Sequence, residues 1–124
     1  MNVTVVGLGK IGLPVAVAIA KSGHSVIGYD INEETIELIN AKKEPFPGEA
    51  DLKEELSSVI ENGKFFATSK PEIAIPQAEV VLVAVPLLTD DTGKPKFETI
   101  DDATTVIGTH ISPNTLVEIG RAHV

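Results

Sequence analysis

The run Gly7-Leu8-Gly9-Lys10-Ile11-Gly12 constrains the fold of this chain more than any other feature. It joins a β-branched segment, Val3 to Val6, to an apolar helix-period segment from about Ile11 to Ser22, and a second β-branched segment, Ser25 to Tyr29, follows. In that context each glycine of a G-x-G-x-x-G has its own use. Gly7 permits a tight turn out of the strand, Gly9 lacks the Cβ that would hold a pyrophosphate off the backbone, and Gly12 lets helix and strand pack closely. The unpaired N–H groups near Lys10 and Ile11 then face a phosphate with the helix dipole behind them. A strand, turn and helix of this kind is expected to open a dinucleotide site.

Asp30 ends the second β-branched segment, close to the roughly 20-residue spacing at which an acid meets the adenosine ribose in such a site. A carboxylate there accepts hydrogen bonds from both ribose hydroxyls and repels a 2′-phosphate. No arginine follows nearby to hold that phosphate, so NAD is expected rather than NADP.

The rest of the chain keeps the same alternation of strand and helix patterns. Further strands are expected at Lys64 to Thr68, at Val80 to Val85 and from Thr115. Helices are expected after the N-cap Asn32, after Asp51 with Glu54 three residues on, within Ser69-Lys70-Pro71-Glu72, and from Ile100 to His110. Apolar residues run nearly all round the first helix, which predicts burial on every side. The implied fold class is α/β, a Rossmann-type doubly wound parallel sheet of about five strands, with the last strand still forming where the chain stops.

At 124 residues the chain is sized for one domain. Its net charge of −8 repels phosphate backbones and anionic membrane surfaces, so neither nucleic acid nor a membrane is an expected partner. No apolar run reaches the roughly 20 residues of a membrane span, and Met1 leads directly into a strand with no basic leader, which points to the cytoplasm. With no cysteine, the chain holds no disulfide, thiolate metal site or cysteine nucleophile. His24, His110 and His123 share no metal-ligand spacing. Asp90-Asp91 and Asp101-Asp102 suit a polar loop and a helix start, and Lys42-Lys43 suits a solvated face, so no metal site is expected.

Other residues carry a resemblance. Val6 to Pro14, with Leu13-Pro14 directly after the third glycine, then Ser22-Gly23-His24-Ser25-Val26-Ile27-Gly28-Tyr29-Asp30, resembles the start of the UDP-glucose, GDP-mannose and UDP-N-acetylmannosamine 6-dehydrogenase family. Pro45-Phe46-Pro47-Gly48 before a Leu-rich helix, Val83-Ala84-Val85-Pro86, and Gly93-Lys94-Pro95-Lys96-Phe97 extend it to about Val117. Leu87, Thr35 and Lys10 depart from the family's usual residues. The resemblance implies an enzyme that oxidises the C6 alcohol of a nucleotide sugar to a carboxylate by two hydride transfers to NAD, through a thioester on a cysteine lying far downstream. It implies Gly7, Gly9, Lys10, Ile11 and Gly12 at the pyrophosphate, Asp30 at the ribose, and Val85 and Pro86 beside the adenosine. It also implies that the full-length protein is a homo-oligomer, and that this chain alone is inactive.

A stand-alone NAD-sensing regulatory module, or another β-hydroxyacid dehydrogenase, shares the opening motif and stays open as an alternative. Glu118-Ile119-Gly120-Arg121-Ala122-His123-Val124 reads differently from what precedes it. It equals one reading-frame translation of a common sequencing adapter and is expected to be a non-native tail, leaving residues 1–117 as the cofactor domain.

Overall fold

Val3 and Val5 on one side of the first strand, and Thr4 and Val6 on the other, are all buried, and a strand covered on both faces must have a layer of helices above and below it. The computed structural model, which describes residues 1–46, 51–85, 88–89, 95–96 and 98–119, supplies both layers. Its elements are β1 (Asn2–Val6), α1 (Gly12–Lys21), β2 (Ser25–Tyr29), α2 (Glu33–Asn40), α3 (Leu52–Glu61), β3 (Phe65–Thr68), α4 (Pro71–Ala74), β4 (Val80–Val83), β5 (Leu88–Thr89), β6 (Pro95–Lys96), α5 (Glu98–His110) and β7 (Leu116–Ile119). Five of the described strands form one sheet in the order β3-β2-β1-β4-β7, each parallel to its neighbours.

This order decides which helices go where. The chain steps outward from β1 to β2 to β3, then returns through α4 to β4 on the other side of β1. Because parallel crossovers keep one hand, reversing the direction of travel moves the connecting helices to the opposite face. Accordingly Leu13, Ala16 and Val17 of α1, Ile39 of α2 and Leu56 of α3 share a core with Val3, Val5, Val26 and Phe65. Ala74 and Ile75, with Ala103 and Ile107 of α5, share a second core with Val6, Tyr29, Val81 and Val83. The reversal falls between β1 and β4, and in open α/β sheets a ligand crevice forms at the carboxyl ends of the strands at such a point.

Several local expectations are corrected. α1 is not buried all round: Leu13, Ala16, Val17 and Ala20 face the sheet, while Val15 is 39% and Ile11 51% exposed. A helix lying on a sheet has one contact face, and its apolar far side does not change that. Asp51 precedes α3 but caps nothing with its side chain and takes a left-handed φ of 64°. Ser69 does not cap α4 either; Lys70 holds the N-cap position with no side-chain bond, and Thr68 Oγ1 accepts the Lys70 N–H at 3.1 Å. Pro71 at the helix start has no N–H to satisfy, which lowers the need for a cap. Lys42 stays on a solvated face as expected, with a φ of 65° and its Nζ 2.8 Å from the exposed Glu61 Oε1. The short antiparallel pair of β5 and β6 was not anticipated by the polar composition of that segment.

The expected cap on α2 is present. Asn32 Oδ1 accepts the Thr35 N–H at 3.2 Å and caps α2. β7 includes Glu118 and Ile119, paired with Leu82 and Val83, a backbone ladder that makes little demand on side-chain identity. Pro47, Gly48, Pro86, Leu87, Asp90, Asp91, Gly93, Lys94, Phe97 and the tail from Gly120 lie outside the described residues. No described helix is long and apolar enough to cross a membrane.

One side chain guards a sheet edge. The last residue of α2, Asn40, donates from Nδ2 to the Ala67 carbonyl at 2.8 Å and accepts the Ala67 N–H at 2.9 Å through Oδ1, so a side-chain amide takes the place of a neighbouring strand beside β3. Asn40→Ala strands both groups of Ala67 and is expected to cost about 1–3 kcal/mol. A urea midpoint unchanged from the parent chain would show that the clamp contributes nothing.

Candidate functional site

The connection from β1 to α1 lies at the carboxyl ends of β1, β2 and β4, and its three glycines meet different constraints. Gly7 has a φ of 97° and donates its N–H to the Tyr29 carbonyl at 2.8 Å. A Cβ on it would meet the Ala84 carbonyl oxygen at 2.8 Å and the Val85 nitrogen at 3.1 Å, just beyond β4. A Cβ on Gly12 would fall 1.7 Å from the Gly7 carbonyl oxygen. The fold itself therefore requires glycine at both positions. Gly9 is the contrast: a Cβ there would have nothing within 4 Å. No packing demand explains glycine at this position.

The start of α1 has no side-chain cap, although the Leu13 N–H donates to the Gly9 carbonyl at 3.1 Å and Pro14 has no N–H to offer. Ile11 occupies the N-cap of α1 with no side-chain cap, and the first turn contains no acid, whereas α2 has Asn32 as its cap and Glu33 and Glu34 in its first turn. The first N–H groups of a helix have no intrahelical partner and carry the positive end of its dipole. Lys10 and Ile11 are exposed beside them. An anion is the natural complement to such an end.

Asp30 stands half-buried at the end of β2 and faces the glycine loop. Its Oδ2 accepts the Leu8 N–H at 2.9 Å, and its Oδ1 accepts the Asn32 N–H at 3.0 Å. A carboxylate offers about four lone-pair sites, so each oxygen can accept once more. Val85, half-buried, packs against the second core just after β4. The structure thus places Gly7, Gly9, Lys10, Ile11, Gly12 and Asp30 together at the carboxyl end of the sheet, with Val85 just after β4, and Pro86 lies outside the described residues.

Two residues of this cluster are not evident from motif spacing. Leu8 is 1% exposed, and a Cβ on Gly28 in β2 would come within 2.8 Å of both Leu8 methyl carbons and 3.1 Å of Phe65 Cε1. The available clue is a glycine in an otherwise bulky strand, which often marks a close approach. Tyr29 is the third neighbour: burial, then the charge of Asp30, then that of Glu72, push its phenol above the usual tyrosine range.

Elsewhere the chemistry is sparse. A cavity of about 430 Å3 is lined by Lys43, Glu44, Pro45, Phe46 and Lys53, none of them in this cluster. Among the described residues no three His, Asp or Glu side chains come together as a metal site. His110 Nδ1 is occupied 2.9 Å from the Val106 carbonyl, and Asp101 and Asp102 are exposed on α5.

A parallel sheet reversing at β1 and β4, a glycine loop opening toward an uncapped helix, and an acid at the end of the next strand define a dinucleotide-binding domain of the Rossmann type. Residues 1–120 match the model of the UDP-glucose/GDP-mannose dehydrogenase family, NAD binding domain, and the chain belongs to that family. It is 34% identical over 116 residues to protein CapL of Staphylococcus aureus, covering 94% of this chain and 26% of that protein. It is 37% identical over 92 residues to the UDP-N-acetyl-D-mannosamine dehydrogenase of Pyrococcus horikoshii, covering 73% and 22%. A solved structure of GDP-mannose dehydrogenase from Pseudomonas aeruginosa superposes with a TM-score of 0.91 at 26% identity, over 96% of this chain and 28% of that one. The chain spans about a quarter of the length of these relatives.

The glycines give a paired test. Gly12→Ala is expected to lower stability sharply, because backbone must move to admit the methyl group, whereas Gly9→Val should leave the melting temperature close to the parent's and abolish NAD binding. Thermal melts with NAD titration check both, and NAD binding retained by Gly9→Val would place the cofactor elsewhere.

Tyr29 is the chain's only tyrosine, and there is no tryptophan, so the absorbance change on phenol ionisation reports this residue alone. Its folded-state pKa is raised, so the stability it contributes is intact below the unfolded value of about 10 and is lost as pH rises toward the folded midpoint. A native titration at or below the midpoint of the urea-unfolded chain would contradict this placement.

Proposed function

We propose that this chain is the cofactor-holding part of a nucleotide-sugar 6-dehydrogenase, an enzyme class that oxidises a sugar C6 alcohol to a carboxylate. In this role Gly7, Gly9 and Gly12, with the Lys10 and Ile11 backbone, hold the pyrophosphate, Asp30 accepts from the ribose hydroxyls, and Val85 and Pro86 border the adenosine. NAD supplies the hydride acceptor, and the chain's own residues bind and orient it. The observation that carries this is the open space at Gly9 before an uncapped helix start, with Asp30 beside the same loop. Recognition of a ribose diol by a carboxylate favours NAD, because a 2′-phosphate would bring two negative groups together.

The sugar, the downstream thiol and the homo-oligomer are proposed for the whole enzyme. Without a cysteine, the 124 residues have no nucleophile for a thioester route, and we propose that they bind cofactor without turnover.

Titration calorimetry is expected to show NAD binding at least about tenfold tighter than NADP, a factor corresponding to about 1.4 kcal/mol. Equal or tighter NADP binding would overturn the role of Asp30. Incubation with NAD and UDP- or GDP-sugars should give no NADH absorbance, and steady NADH formation would refute the proposed lack of turnover.

A further inference from the structure

Asp30 has a second connection, one that a ribose contact does not require. Its Oδ2 takes the Leu8 N–H, so the acid at the end of β2 is bonded to the loop between β1 and α1. Leu8 is also held from the other side: its side chain is buried in the first core, in the gap left by the absent Cβ of Gly28. Gly7, one residue back, donates to Tyr29, the residue before Asp30. The Gly7-Leu8 segment is therefore tied to the end of β2 by two main-chain N–H groups and one apolar side chain. Gly9 and the uncapped start of α1 follow directly.

Resting on the cofactor reading above, we infer that Asp30 is a positioning residue for the pyrophosphate loop as well as the ribose acceptor, with Leu8 and Gly28 as its apolar counterpart. The negative carboxylate holds the Leu8 amide through a charge-assisted bond, and the buried Leu8 side chain keeps that amide turned toward it. Each carboxylate oxygen still has a lone pair for a ribose hydroxyl. The two halves of the ligand are thereby coupled: loss of the acid loosens the loop that receives the phosphates as well as removing the contact to the sugar.

The two roles predict opposite results for a ligand that keeps the diphosphate but lacks the ribose hydroxyls, such as 2′,3′-dideoxy-ADP. If Asp30 serves the ribose alone, Asp30→Ala leaves this ligand's affinity unchanged or improves it, because a negative charge near an anion has been removed. If Asp30 also positions the loop, Asp30→Ala weakens the ligand about tenfold, the scale of one lost hydrogen bond to a charged group. Asp30→Asn, whose amide oxygen can still accept from Leu8, should recover most of that loss.

The experiment is calorimetric titration of the parent chain, Asp30→Ala and Asp30→Asn with NAD and with 2′,3′-dideoxy-ADP, together with amide hydrogen exchange at Leu8 and Val5. The expected result is weaker binding of both ligands by Asp30→Ala, recovery for dideoxy-ADP in Asp30→Asn, and Leu8 exchange at least about tenfold faster with Val5 unchanged. Loss of NAD affinity with dideoxy-ADP affinity intact would overturn the positioning role while leaving the cofactor reading in place. Equal acceleration at Leu8 and Val5 would mark a general loss of stability and would also overturn it. Failure of the parent chain to bind NAD would instead remove the cofactor reading on which the inference rests.

Discussion

The contact between Gly12 and Gly7 sets the rest of the site. A side chain on Gly12 would occupy the place of the Gly7 carbonyl oxygen, so the helix start and the strand end approach as closely as two backbones can. This closeness sets the start of α1 at the carboxyl end of β1. It also lets the first core close beneath the loop, where Leu8 and Leu13 pack with Val5 and Val26. With a longer connection, the sheet could form equally well and the helix end would project elsewhere. The geometry of this loop is thus a product of backbone packing at Gly7 and Gly12, and of the three loop glycines Gly9 alone has no such contact.

Much of this was legible in the sequence because it depends on local rules. The glycine spacing, the β-branched runs and Asn32 placed β1, α1, β2 and α2 to within a residue or two, and the unbroken apolar run from Val80 indicated a strand covered on both faces. Asp30 stands just after β2, where its distance along the chain puts it, and bonds the glycine loop. The less legible features depend on tertiary neighbours. The exposed side of α1 bears Val15 and Ile11, and hydrophobicity alone does not say which side of an apolar helix meets the sheet. Asp51 and Ser69 match start patterns at the right positions, yet neither makes the bond that the pattern stands for, because the backbone at Asp51 is left-handed and Pro71 leaves one donor fewer. Leu8 and Gly28 are separated in sequence and meet only when β1 and β2 pair, so their fit could not be found by scanning either segment alone.

The two faces of the sheet divide the labour. The face carrying α1, α2 and α3 holds the larger side chains, Leu13, Leu56 and Phe65, and anchors the loop through Leu8. The other face is packed more with small residues, Ala74, Ala78 and Ala103, around Tyr29 and Val83. Tyr29 stands where these two systems meet: its carbonyl receives Gly7, and its ring sits in the second core. A disturbance on the second face can therefore reach the loop through one main-chain bond.

The clamp that Asn40 places on Ala67 gives the sheet a direction. A strand adding beside β3 would first have to evict an amide that already holds both main-chain groups of Ala67. At the opposite margin, β7 presents Leu116 at 61% exposure and Ile119 at 51%. Side-chain mimicry of a strand thus makes one border a terminus, while β7, paired with β4 alone among the described strands, keeps an edge that another copy could pair with.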